Sequence, residues 1–157
     1  MKTLIIGLGN PILCDDGVGW RVIQTIDEQL GDDIPPGVEL DRISLGGISL
    51  MERLVGYDRA VLVDAVQTNN NPPGTVYRMT LDDLPTFNAN AIHDVSLKTA
   101  LELGRGMGAK LPDEITVFAI ESVNLWDFGE MLTPQVEASV LPAAQAVLAE
   151  IENWRKP

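Results

Sequence analysis

The sequence predicts an α/β fold: a three-layer α/β/α sandwich around a mostly parallel, twisted sheet of about five strands. Short apolar runs alternate with amphipathic helices from one end of the chain to the other, which is typical of strands joined by crossover helices. Residues 60–63 read Ala-Val-Leu-Val, a pattern typical of a central strand that is covered on both faces. Because the 157 residues contain no repeat and no linker-like segment, we expect one domain over residues 1–157.

The first half of the chain contains the clearest strand–helix pattern. Residues 3–6 form an apolar run that ends at a glycine, which predicts the first strand. Apolar residues then recur at every fourth position over 18–30, which predicts an amphipathic helix that Gly31 closes. The further elements expected in this half are a strand, a short helix and the central strand, over 38–43, 49–55 and 60–63.

The second half repeats this alternation. The polar segment 68–74 predicts an exposed turn. Asp94 is a suitable N-cap for a helix over about 95–107, because a side-chain oxygen there accepts bonds from free backbone amides. Thr133 supplies the same signal, with Pro134 at the first position, for a last helix that continues to the C-terminal end. Two further strands are expected, over 75–79 and 115–120.

The composition of the chain argues against several classes of protein. Lys and Arg number 11 against 23 Asp and Glu, so the formal net charge is −12. Such a chain is poorly suited to tracking phosphates, and we expect no nucleic-acid partner. A single cysteine argues against a secreted domain built on disulfides. No apolar run approaches the roughly 18 residues that a membrane span needs, and the N-terminal residues show no signal-peptide pattern. We therefore expect a cytoplasmic protein with no membrane partner, and we expect a monomer.

The segment after the first strand, GLGNPILCDDGVG at 7–19, is rich in glycine but does not fit a nucleotide site. A dinucleotide loop of the form G-x-G-x-x-G needs glycine at the position that Ile12 occupies. Asp15 and Asp16 lie where the helix begins, and their charges would repel a pyrophosphate. We therefore expect no nucleotide cofactor.

Three titratable residues are expected to meet at one edge of the sheet. Asp16 follows the first strand, Asp64 follows the central strand, and His93 begins a helix that should return to the same sheet. Carboxyl ends of parallel strands share an edge, so these side chains can converge, and their donor set suits a divalent transition metal. Taken singly, each has a plainer interpretation: helix capping for Asp16 and its neighbour Asp15, an Asx-turn closing the strand for Asp64, and a surface imidazole for His93.

Other catalytic motifs are scarce. The sequence contains neither H-E-x-x-H nor G-x-S-x-G. Cys14 and His93 are a possible thiol–imidazole pair. We predict instead that Cys14 is a small loop residue, because the acidic residues beside it oppose a further negative charge.

The segment at 7–19 resembles the N-terminal signature of the endopeptidases that mature nickel–iron hydrogenases. Further segments match that family in order, so that the resemblance covers essentially the whole chain: 56–66, 73–76, 93–94 with the Leu-rich stretch after it, and 132–136.

The resemblance implies a cytoplasmic, single-domain α/β/α endopeptidase. Its substrate would be a hydrogenase large-subunit precursor, from which it would remove the C-terminal extension after nickel insertion, using the substrate-bound nickel for recognition. Asp16, Asp64 and His93 occupy the positions of the family's metal-contacting acids and histidine. Many relatives have glutamate where Asp16 stands, so we expect the loop to lie closer to the metal here. Residues 121–125 also lack a proline that is associated with this region of the family.

Besides a plain structural domain whose acids only cap helices, two alternatives stay open at this point. The first is a non-enzymatic chaperone or metal-delivery module that binds the same precursor through the same residues. The second is a peptidyl-tRNA hydrolase-like hydrolase, because GLGNP also opens that family. The catalytic histidine that follows shortly afterwards in those enzymes is missing here, where the only histidine is His93.

Overall fold

The computed structural model describes residues 1–44, 46–86 and 94–157, with side chains at all of these positions except 84–86 and 94–96. The strands of these ranges are β1 (Thr3–Leu8), β2 (Val38–Ile43), β3 (Arg59–Val66), β4 (Val76–Thr80) and β5 (Glu114–Glu121). The α-helices are α1 (Val18–Leu30), α2 (Gly47–Leu54), α3 (Asp94–Gly106) and α4 (Pro134–Arg155). Short 3₁₀ turns occur at Cys14–Gly17, Gly31–Asp33 and Leu81–Thr86.

The strands form one sheet in the order β2-β1-β3-β5-β4. The pairs β1–β2, β1–β3 and β3–β5 are parallel, and among the strands of the described ranges only β4 runs antiparallel, beside β5. The expected mostly parallel sheet of about five strands is therefore confirmed. None of the helices in the described ranges has the length and apolar character to cross a membrane.

Helices cover both faces of this sheet, as a three-layer sandwich requires. Side chains alternate along β3, so that Leu62 and Val66 join the core beneath α2 and α3. Val61 and Val63 point the other way, into the core beneath α1 and α4. Burying one such aliphatic side chain contributes about 1.5–3 kcal/mol, and both faces of the central strand are lined with them.

The central strand is longer than the sequence indicates. It continues past Asp64 to Val66, so the plainer interpretation of Asp64, an Asx-turn that ends the strand, is wrong. The reason is that β5 supplies backbone partners on this side: Asp64 lies opposite Ala119, and pairing continues to Val66 opposite Glu121. Backbone pairing along a neighbouring strand here outweighs the strand-ending tendency of a carboxylate side chain.

A close backbone contact positions the start of α1 over the sheet. A Cβ atom on Gly19 would lie 2.4 Å from the Val63 carbonyl oxygen and 2.7 Å from the Leu8 carbonyl oxygen. Only glycine allows this approach, because backbone oxygens cannot move aside. The contact holds the 3₁₀ turn Cys14–Gly17, which precedes α1, at the carboxyl edge of the sheet.

Candidate functional site

Asp64 lies at the carboxyl edge of the sheet, beside the end of β1. The β1–β3 register pairs Gly7 with Val63, which brings the next residue of β3 alongside the last residue of β1, Leu8. The side chain of Asp64 is only 3 % exposed, and its Oδ1 accepts a bond from the Ala65 amide at 2.8 Å. A carboxylate at such a depth is costly for folding, so its presence favours a functional role.

Asp16 lies on the same edge and is bound to the residues that follow β1. Its Oδ2 accepts a bond from the Asn10 amide at 2.8 Å. A Cβ atom on Gly9 would lie 1.9 Å from the Asp16 carbonyl oxygen, so glycine is required for the turn to fold back this far. Asp16 is partly exposed, in contrast to Asp64. Both carboxylates therefore lie beside the end of β1, one partly exposed and one covered.

His93, the third residue predicted for this site, lies outside the described residues. The next residue, Asp94, begins α3, and α3 packs on the face of the sheet toward which Asp64 alternates. Within the described ranges, His, Cys, Asp and Glu form no group of three that could hold a metal ion. The predicted three-residue metal contact therefore stays a prediction.

Asp15 has a different role from the helix cap that the sequence indicates. It is fully buried, and its Oδ2 accepts bonds from the amides of Val123 and Asn124, each at 3.0 Å. Its Oδ1 accepts bonds from the Thr133 amide at 2.7 Å and from the Thr133 hydroxyl at 3.0 Å. A carboxylate so enclosed is a positioning residue, and Asp16 is the one of the pair that can meet a substrate.

The same contacts correct the expectation for Thr133. This residue precedes Pro134 at the start of α4, as predicted, but its side chain makes no capping bond to the helix. Its hydroxyl instead donates to Asp15. The hydroxyl is turned toward the Asp15 carboxyl group, to which it donates, and not toward the helix amides.

Residues 9–17, which we call the first loop, are joined to residues 122–133, which we call the last loop, by more than Asp15. Leu13 and Gly129 form an isolated parallel bridge, and the Cys14 amide donates to the Gly129 carbonyl at 2.8 Å. The Cys14 thiol donates to the Met131 carbonyl at 3.2 Å, in agreement with the loop role predicted for it. Asp16 is thus held from two directions, by the sheet and by the last loop.

Glu121 is a buried carboxylate that the sequence interpretation did not select. It ends β5, is 2 % exposed, and accepts bonds from the Thr68 amide at 2.8 Å, from the Thr68 hydroxyl and from the Tyr77 hydroxyl at 2.7 Å. Burial, together with donation to Glu121, raises the pKa of Tyr77 above its ordinary value of 10.0, although the Thr68 contact opposes this. Glu121 fixes the segment after β3 beside the carboxyl edge. The sequence signal that could have identified Glu121 is an acidic residue at the end of an apolar strand.

Comparison with known proteins shows one consistent similarity. Residues 44–150 match the family model HycI, described as hydrogenase maturation protease. Hydrogenase 2 maturation protease of Escherichia coli (strain K12) is 28% identical over 155 residues, which cover 98% of this chain and 92% of that protein. HoxM of Azotobacter vinelandii, a hydrogenase expression/formation protein, is 30% identical over 94% of this chain and 70% of its own length. Among solved structures, the hydrogenase maturating endopeptidase HybD from E. coli has a TM-score of 0.83 at 26% identity, covering 99% of this chain and 94% of that one.

Proposed function

We propose, from the premise that this chain belongs to the hydrogenase maturation protease family, that it cuts the C-terminal extension from a nickel–iron hydrogenase large-subunit precursor once nickel is in place. The observation that carries the proposal is the placement of both Asp16 and Asp64 beside the end of β1, in a chain similar to maturation peptidases over nearly its whole length. The reaction is proposed to occur in the cytoplasm, where the resemblance places the family, with the enzyme as a monomer.

In this proposal the metal belongs to the substrate. Asp16, Asp64 and His93 contact a nickel ion that the cysteines of the precursor already hold. One imidazole and two carboxylates suit such an ion better than they suit magnesium or calcium. Contact with nickel verifies that the ion has been inserted, and it places the peptide to be cut beside the carboxyl edge of the sheet.

The reaction is hydrolysis of one peptide bond. Water adds to the carbonyl carbon, the C–N bond breaks, and the leaving nitrogen takes up a proton. The precursor-bound ion polarises the carbonyl or activates the water, and a carboxylate accepts the proton of the water. The base must be a carboxylate that does not contact the ion. Asp16 is our candidate for it where Asp64 and His93 alone hold the ion, because Asp16 is partly exposed, whereas Asp15 is fully buried.

The test compares nickel-loaded and nickel-free precursor. We expect the loaded precursor to lose the mass of its extension, followed by mass spectrometry, and the nickel-free precursor to keep its full mass. Equal cleavage of both would overturn nickel recognition. A stable complex without any change of mass would overturn the protease proposal and favour a chaperone or metal-delivery role. The Asp64→Asn protein, treated in parallel, controls for contaminating proteases.

A further inference from the structure

An exposed apolar patch borders the loop that carries Asp16. Eleven large hydrophobic residues are exposed in the described part of the chain, and five of them fall in the first and last loops. We call these five the loop patch: Ile12, Val123, Trp126, Phe128 and Met131. Phe128 is 86 % exposed, Met131 81 % and Trp126 61 %. Single exposed apolar residues are ordinary, but a concentration of them with two aromatic rings marks an interaction surface.

The loop patch is presented by an ordered backbone. The Asn124 side chain accepts bonds from the amides of Trp126 and Asp127, at 3.2 and 3.0 Å, which closes a turn beneath the indole. The Gly129 amide donates to the Ile12 carbonyl at 2.9 Å and binds the two halves of the patch together. The backbone that carries the aromatic residues is therefore fixed before any partner arrives, which reduces the entropic cost of binding.

We propose that the loop patch docks an apolar segment of the protein substrate, flanked by basic side chains, close to the peptide that is cut. The inference rests on the proposed function, because the same first loop carries both Ile12 and Asp16 and so connects the patch to the site. It goes beyond that function by assigning a binding surface to the last loop.

The charges favour this occupant over a second copy of the chain. Asp127 and Glu130 are exposed beside the patch, and the chain as a whole carries −12. A second copy would bring the same acids against these ones, which is unfavourable, whereas Lys or Arg beside an apolar segment complements them. Large aromatic side chains at such a surface contribute a large share of binding energy.

The first experiment measures binding of nickel-free precursor by titration calorimetry, so that docking is observed apart from contact with nickel. We expect the Trp126→Ser/Phe128→Ser double variant to bind at least about tenfold more weakly than the wild-type protein. Met107→Ser is the matched control, because Met107 is 78 % exposed but lies just after α3 and outside the loop patch. The Met107→Ser protein should bind the precursor as tightly as the wild type does. An unchanged affinity in the folded double variant, or no measurable binding by the wild type, overturns the inference.

Reversing the charge of Glu130 tests whether basic side chains flank the apolar segment of the substrate. Glu130→Lys should weaken binding and reduce its dependence on salt, since an attractive contact becomes repulsive. Tighter or unchanged binding would overturn this part of the inference. Self-association that disappears in the double variant, measured by sedimentation, would assign the patch to a second copy instead.

Cleavage of nickel-loaded precursor separates the two proposals. A wild-type protein that binds through the patch but leaves the precursor at full mass overturns the protease proposal and supports the docking inference. If the wild-type protein cuts the precursor and the double variant binds the precursor as tightly as the wild type does, only the docking inference is overturned.

Discussion

Thr133 donates its backbone amide to Asp15 across 2.7 Å of space and 118 positions of sequence. The bond joins the start of α4 to the turn before α1, and the Thr133 hydroxyl strengthens it. Asp16, the next residue, lies in the same turn. The position of a candidate catalytic carboxylate thus depends on the bonds of the carboxylate beside it.

Replacing Asp15 with asparagine should destabilise the protein. One carboxylate oxygen becomes an amide nitrogen that faces the amides of Val123 and Asn124, or that of Thr133, so donor meets donor in a buried place. We expect a loss of about 2–4 kcal/mol in the free energy of unfolding, measured in urea. Asp32→Asn, on an exposed residue, is the control and should change little. A loss below about 1 kcal/mol for Asp15→Asn would contradict the positioning role.

Asp64→Asn should reduce cleavage of the precursor and leave the fold intact, in contrast to Asp15→Asn. The substitution keeps the shape of the side chain and an oxygen that can accept the Ala65 amide, so the fold should be kept without a large loss in the free energy of unfolding. Cleavage of the precursor should fall at least about 100-fold, because the proposed contact with nickel is lost. Both quantities can be measured on one preparation. Retained cleavage, or a large loss of stability, would assign Asp64 to the fold instead.

Asp64 and Asp15 show which features of the site can be predicted from the sequence and which cannot. The apolar run before Asp64 predicts its strand and its edge of the sheet, because that pattern is local. Asp15 and Asp16 are identical in type and adjacent, and only the last loop, more than a hundred positions away, decides which of them is buried. Pattern analysis cannot place that loop. The antiparallel pairing of β4 with β5 likewise depends on a neighbour that comes later in the chain.

Cys14→Ala should leave cleavage of the precursor intact. The thiol bonds to the Met131 carbonyl, so its removal costs one hydrogen bond, about 1 kcal/mol of stability. Alanine keeps the Cβ atom, so the backbone at φ 53 is no more strained than before. The precursor assay checks this, with the unfolding free energy measured alongside. Loss of cleavage in a folded Cys14→Ala protein would instead support a thiol nucleophile.

Gly19→Ala should damage the fold. The added carbon would meet backbone oxygens of Val63 and Leu8, which cannot yield without moving α1 off the sheet. We expect a loss of more than about 3 kcal/mol in thermal or urea unfolding. Gly106→Ala, at the end of α3 with nothing within 4 Å, is the matched control and should be neutral or stabilising by up to about 1 kcal/mol. Equal effects at both sites would contradict the close-contact interpretation.

Acid should weaken the ion pair between Arg78 and Glu150. Arg78 donates to both carboxylate oxygens, at 3.0 and 2.6 Å, and this contact lowers the pKa of Glu150 below its ordinary value of 4.5 although burial opposes it. The stabilisation is therefore complete above pH 4.5 and is lost as the pH falls through the lowered folded-state pKa. We expect the stability difference between the wild type and Glu150→Gln to shrink as the pH falls below 4.5. A difference that stays constant from pH 6 to 3 would refute the linkage.

The long-range bond of Asp15 also has a consequence for timing. During synthesis the first loop emerges early, but the backbone amides that satisfy Asp15 belong to residues 123–133, so the loop waits for them in an unfixed state. The edge that carries Asp16 can be completed only when the chain as far as residue 133 has left the ribosome. On the proposed function, the protein becomes competent to cut its substrate only after residues 123–133 have been made and have reached the first loop.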